Sequence, residues 1–498
     1  MKGDSFPLLE MTEHKVWNRF RSPVLLLLLL WAIAKTRGQD VPSSPSEPWI
    51  NQKRQIQFER SLQQDKDAPY ELDLEHTYSL AELINLAEIH NPDTRVAWQS
   101  AKARLEQVGV AKSSLYPAIA AVAVADTSRD RLLAAPGFVR QTIGLSQDTL
   151  TLNYLIFDFG RRQGAIAEAE NEMFAADFAF NDVHRKLIYR TSSSYYYFLN
   201  AIGQVSAAEA ALANAETVQK DAEARLRNGI ATLPDILEAR AATAQAEYDL
   251  QAADGMREVA LGALATAIGL PPNTPLRVQP LEELTLPEEP PAKVEEIMDL
   301  ALRQRPDLME QVAKAAATDA SLTQARSAYL PSLSFSGFDG SQRMYGRQDF
   351  LSGTYTGGET WNAELTLQWD LFDGFRRKHQ VAEARAQNAV TKAQIETQEE
   401  EIANEVWVAY SNLKTAERQR IAAAALLLSA EESYAAALRS YDLGIRDLLD
   451  VVASQRTLAQ ARSSDIAART QVLTQISNLA FRSGDLSRAT PRKASQQP

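Results

Sequence analysis

Residues 361–371 alternate without a break: Ala363, Leu365, Leu367 and Trp369 fall on one face of an extended chain, and Asn362, Glu364, Thr366, Gln368 and Asp370 on the other. Residues 332–339 open the same way, with Leu333-Ser334-Phe335-Ser336, and residues 118–125 and 149–157 repeat the pattern more weakly. Two strand pairs are therefore expected. Strands that are apolar on one side, polar on the other and aromatic near their ends suit a transmembrane barrel, with Ala363, Leu365, Leu367 and Trp369 facing lipid. The same alternation also fits an amphipathic hairpin packed on a soluble core. Residues 126–147 and 339–359 carry Gly and polar residues and read as exposed loops.

The strand pairs alternate with stretches of a different character. Residues 161–226 contain no proline and only Gly164 and Gly203, and residues 376–441 contain neither Pro nor Gly. Both are rich in Ala, Glu, Gln, Arg and Leu, the better helix formers. A helix of that length reaches ~100 Å and needs partners along its side. Dense alanines, such as Ala422 to Ala425, permit close helix approach. The apolar spacing reads as loose rather than heptad, which argues against a simple two-stranded rod.

The pattern occurs twice. Residues 86–117 align with 300–331, placing Asn91-Pro92-Asp93 over Arg305-Pro306-Asp307 at an offset of 214. Phe157-Asp158 then aligns with Phe372-Asp373, Arg161-Arg162 with Arg376-Arg377, Gly229-Ile230 with Gly444-Ile445, and Gly269 with Gly484, all at 215. One inserted residue separates the two sets of anchors. The expected organisation is repeat 1 over 78–270, a Pro-rich connector over 271–293 and repeat 2 over 294–485. An extended lead-in over 39–77 precedes them, and a disordered tail over 486–498 follows.

At the N-terminus, Lys15, Arg19 and Arg21 precede an apolar run over 24–34, which fits a secretory signal peptide over 1–38. Cleavage after Ala34 or Gly38 and a start at Met1 or Met11 are all compatible with it. Its removal takes the net charge from −12 to −15. That balance argues against a nucleic-acid partner, since phosphate neutralisation requires an excess of Lys and Arg. The chain has no cysteine, which removes disulfides, thiolate metal sites and a lipid-modified Cys. Its five His show no metal-ligand spacing, and no phosphate-binding loop or dinucleotide fingerprint occurs. No enzyme, cofactor or metal site is expected.

Four strands cannot close a barrel, because the smallest has about eight, and lipid tolerates no open sheet edge. If these strands span a membrane, several chains pool them. Helix, proline, strand, loop, strand, Phe-Asp, long helix, glycine turn and helix, all duplicated, resembles the TolC family of outer-membrane efflux proteins. The likeness covers nearly everything from Tyr78 to Gly484.

The resemblance implies a mostly α fold with a small β part. A homotrimer would share a twelve-strand outer-membrane barrel continued by a periplasmic α-helical barrel in a Gram-negative envelope. It implies a passive exit duct of a tripartite efflux or type I secretion system, opened by a periplasmic adaptor and an inner-membrane transporter. Gly229, Ile230, Gly444 and Ile445 would lie at the docking tips. Asp235, Tyr441 and Arg446 fall where the family places gate contacts, and Asp450 on its narrow acidic ring. Pro234 and Ala453 depart from that pattern, leaving one acidic ring fewer. The competing reading is a soluble periplasmic coiled-coil scaffold.

Overall fold

The computed structural model describes residues 73, 75–134, 137–284, 293–349 and 351–485. The expected signal peptide and tail, and nearly all of the lead-in, lie outside these residues. The described elements run in chain order as β1 (Thr77–Tyr78), α1 (Leu80–His90), α2 (Pro92–Ser113), β2 (Ala118–Ala134), β3 (Gly137–Phe157), α3 (Arg161–Arg227) and α4 (Leu233–Ile268). They continue as β4 (Arg277–Val278), α5 (Val294–Gln304), α6 (Pro306–Ser327), β5 (Ser332–Gln348), β6 (Thr354–Gln368), α7 (Arg376–Asp442) and α8 (Leu448–Ser483). The duplication is visible in helix lengths: 11, 22, 67 and 36 residues in each copy. In the connector, β4 pairs in parallel with β1.

Proline sets the first break in each copy. Pro92 and Pro306 stand at the first position of α2 and α6, where a missing N–H does no harm and a fixed φ starts the helix. Asn91 caps α2 by accepting from the Asp93 N–H at 2.8 Å, and its amide donates to the Ala267 carbonyl at 3.0 Å. In the second copy Arg305 takes that place, only 3% exposed, between Asp307 and Glu405 at 2.6 Å each. Arg185, 1% exposed, joins this group through the Phe481 carbonyl at 2.9 Å and Asp307 at 3.4 Å. Each copy keeps an ion pair of its own at this place: where α7 carries Glu405 against Arg305, α3 carries Arg190 against Asp93 at 3.7 Å.

The long helices pair as two antiparallel hairpins, α3 with α4 and α7 with α8, and α3 also packs on α6 and α8. Their seams correct the expectation of loose spacing. Ala239, Ala246, Ala253, Ala260 and Ala267 on α4 recur every seven residues and are all buried. Ala409, Ala416, Ala423, Ala430 and Ala437 do the same on α7. A seven-residue repeat keeps one seam facing its partner, and a methyl group there lets the helix axes close in. In so alanine-rich a sequence the stripe does not stand out from its background. Gly203 extends the same logic to the contact between hairpins. A Cβ there would lie 2.5 Å from Ile466 Cγ2 on α8.

The sheet is fully antiparallel in the order β2-β3-β5-β6, so the two copies join through β3 and β5. The strands are longer than the sequence pattern indicated. The expected runs 118–125, 149–157 and 332–339 extend to Ala118–Ala134, Gly137–Phe157 and Ser332–Gln348. The fourth run, expected at 361–371, is Thr354–Gln368. Most of the presumed loops 126–147 and 339–359 is therefore ladder. Backbone pairing, once started in a hairpin, continues regardless of side-chain polarity, and only the apolar belt advertised itself by alternation. Trp369 lies just past β6, where its indole N–H donates to the Tyr329 carbonyl at 3.1 Å.

Candidate functional site

The register sorts the sheet into two faces. Cross-strand partners share a face, so Leu365 joins Phe335 and Tyr154, Leu367 joins Leu333, and Ala363 joins Gly337, Leu152 and Ile119. The opposite face carries Glu364 beside Ser336 and Asn153, with Thr366 beside Ser334. Leu365 and Leu367 are 62% and 68% exposed, although nothing about their chemistry favours water. The outer edges of β2 and β6 have no strand partner among the described residues. One apolar face in water and two unpaired edges leave the sheet incomplete on its own.

The turns from sheet to long helix explain the Phe-Asp and Arg-Arg pairs. Phe159 and Gly160, and likewise Gly374 and Phe375, all have positive φ. Each copy thus makes two successive left-handed residues and eases one of them with glycine. Asp158 then accepts from the Arg162 N–H at 2.9 Å, and Asp373 from the Arg377 N–H at 3.1 Å. The side chain of each Arg reaches back to the preceding helix end, Arg162 to the Ser114 carbonyl and Arg377 to the Ala328 carbonyl. Burial raises the affinity of the Asp373 carboxyl for its proton. The N–H and guanidinium of Arg377 outweigh that, and the group stays below the ordinary carboxylate range. This motif fastens strand to helix.

At the far end each hairpin turns through a Schellman motif. Gly229 has φ +70° and Gly444 φ +73°, while the Ile230 N–H donates to the Arg225 carbonyl and the Ile445 N–H to the Ser440 carbonyl, both at 2.9 Å. Such a turn usually buries its following apolar residue, yet Ile230 and Ile445 are 71% and 74% exposed. The four helix ends share an apolar cluster that includes Val218, Ile236, Tyr441, Leu448 and Val451.

Around that cluster stand the residues singled out in the sequence. Within the chain Asp235 does not pair with Arg446. Its carboxylate accepts from the Thr232 N–H and hydroxyl at 2.7 Å each, at the start of α4. Arg446 instead lies 3.6 Å from Asp450, one helical turn on, and both are well exposed. Tyr441 is buried, and desolvation pushes its hydroxyl above the ordinary phenol range. Arg225 opposes that shift, and Asp235 and Asp221 reinforce it.

At the tip, the sequence reading missed a residue that ties the two hairpins together. The Arg225 guanidinium sits 4.2 Å over the Tyr441 ring, donates to the Tyr441 carbonyl at 3.2 Å and pairs with Asp442 at 2.8 Å. Arg456 on α8 adds a looser tie to Glu238 on α4 at 3.6 Å. No sequence signal marked Arg225, because its partners lie more than two hundred residues away.

Comparison with known proteins agrees with this architecture. The family profile described as outer membrane efflux protein matches residues 83–270 and again 297–485. Protein CyaE of Bordetella pertussis is 27% identical over 83% of this chain and 85% of its own length. The probable efflux pump outer membrane protein TtgC of Pseudomonas putida is 24% identical over 81% and 82%. The fold superposes on the Campylobacter jejuni CmeC outer membrane channel with a TM-score of 0.69 at 20% identity, covering 84% of this chain and 93% of that one. With the profile matched once in each copy, across most of the chain, this protein belongs to the outer membrane efflux protein family.

Proposed function

We propose that three copies of this chain assemble an outer-membrane exit duct. Each copy contributes its four strands to a closed barrel and its two helical hairpins to a tunnel in the periplasm. The observation that carries this reading is the one-sided apolar sheet with both edges open, continuous with helices of 67 residues. Pooling strands covers the edges and turns the apolar face to lipid, with Ala363, Leu365 and Leu367 in the belt and Trp369 at its inner margin. A soluble scaffold would leave that face against water. The duct performs no chemistry; energy comes from an inner-membrane transporter of an efflux or type I secretion system, through a periplasmic adaptor. The exposed Gly229-Ile230 and Gly444-Ile445 turns offer that adaptor two apolar contact points per chain.

Asp235, Tyr441, Arg446 and Asp450 form the gate in this reading. Arg446 and Asp450 are exposed in one chain, and Asp235 is half-buried. Neighbouring tips in a trimer bring such groups within mutual reach. The test is single-channel conductance in planar bilayers, where Asp235→Ala with Arg446→Ala raises conductance. Unchanged conductance removes the gate assignment, and recovery of the native protein in the aqueous fraction without detergent overturns the duct itself.

A further inference from the structure

All five basic residues of the four-stranded sheet are arginines: Arg129 and Arg131 on β2, Arg140 on β3, and Arg343 and Arg347 on β5. The ladder places them on one face. Pairing of β2 with β3 is continuous from Ala118↔Asn153 to Ala134↔Gly137, and pairing of β3 with β5 from Gln141↔Gln348 to Leu155↔Ser334. Parity is therefore conserved along each strand, and the five arginines share the face of Ile119, Leu150, Leu152 and Phe335. That is the lipid-facing side in the duct reading, on which this inference rests.

Charge in the outer half of the sheet is segregated by face. Asp148, Asp339 and Glu359 occupy the rows at the rim of the apolar belt. Beyond that rim the arginine face carries no carboxylate on any strand, and Asp126 and Asp130 lie on the opposite face. A face that served only to stay wet would mix the two signs. Arg343 pairs with Ser146, four residues beyond Leu150 on β3, and Arg140 stands ten residues beyond it. At ~3.4 Å per residue, with strands tilted by roughly 40°, the arginines occupy a zone about 10 to 25 Å outside the Leu150 row.

All five are exposed. Arg129 is steadied by the Thr142 hydroxyl at 3.0 Å, and Arg140 by Asp349 at 3.1 Å in the turn after β5. Arg131, Arg343 and Arg347 form no ion pair among the described residues. Neighbouring copies join at the edges of β2 and β6, so they leave this face open.

We propose that the arginine face binds the phosphate groups of a phosphorylated glycolipid in the outer leaflet, forming a cationic collar above the apolar belt. The collar begins about 10 Å beyond the Leu150 row, past the rim carboxylates, in the headgroup zone where a lipid presents its anionic groups. Guanidinium, planar and always charged, matches phosphate oxygens in pairs, which fits the use of Arg to the exclusion of Lys.

The test uses the full-length protein in phosphatidylcholine vesicles doped with a bisphosphorylated, acylated diglucosamine or with its dephosphorylated counterpart. After gentle detergent extraction, the glycolipid that co-elutes with the protein is measured by mass spectrometry. The wild type retains the bisphosphorylated form. Retention falls by about tenfold or more in the Arg131→Gln, Arg343→Gln, Arg347→Gln variant, three surface charges being removed, and also with the dephosphorylated lipid. Equal retention by the variant, or equal retention of the dephosphorylated lipid, overturns the proposal. Conductance measured on the same vesicles separates the two readings. A conducting protein that ignores the phosphates sinks only the collar, and a protein that fails to insert sinks the duct.

Discussion

Arg225→Ala tests whether the tie between the two hairpins holds the tip closed. The side chain makes three contacts across the gap: an ion pair to Asp442, a hydrogen bond to the Tyr441 carbonyl and a stack on the Tyr441 ring. Asp442 is 53% exposed, so the ion pair contributes at most about 1 kcal/mol after screening. The stack adds about 0.5–1 kcal/mol, and the hydrogen bond contributes on the order of 1 kcal/mol. An opening that swings α7–α8 away from α3–α4 loses all three, an upper bound of roughly 2–3 kcal/mol per chain. In the proposed trimer, three tips opening together lose about three times as much, which reaches the ~5.5 kcal/mol that moves a two-state equilibrium from mostly closed to mostly open. Planar-bilayer recordings of Arg225→Ala should show larger conductance and longer open times than wild type. Asp442→Asn, which removes only the ion pair, should show a fraction of that effect. Wild-type conductance in Arg225→Ala, with the protein folded and inserted, would refute the assignment of the tie to closure.

Two further perturbations probe the scaffold. Gly203→Ala drives a methyl group into Ile466 and should destabilise the helical part by roughly 1–2 kcal/mol in thermal unfolding, despite alanine's better helix propensity. Ile466→Ala in the same chain should recover most of that loss, and purely additive effects would exclude the contact as its cause. For Asp307, burial raises the affinity for a proton, but Arg305 and the charge of Arg185 outweigh it, so the folded carboxyl lies below the ordinary range. Its ionised form therefore supports the fold above about pH 4, and that support is lost as pH falls through the folded value. Asp307→Asn should flatten the acid limb of thermal midpoint against pH; an unchanged slope would place the acid sensitivity elsewhere.

The sequence by itself determined the features written between near neighbours. The duplication, the two proline-started helix breaks, the long helices and the Gly-Ile turns all follow from residue types and spacing within a few positions. The face shared by Ala363, Leu365 and Leu367 follows from period-two alternation alone. Tertiary structure decided what depends on partners distant in the chain. Strand length was set by backbone pairing, which is blind to the polar side chains that made 126–147 and 339–359 read as loops. Seven-residue alanine seams became visible only when the facing helix showed which of many alanines are buried. At the tip, Asp235 turned to cap its own helix and Arg446 to Asp450, while Arg225 crossed to Tyr441 and Asp442 on the other hairpin. A charged side chain on a helix end has several partners within reach, and only the packing of the neighbouring hairpin selects among them.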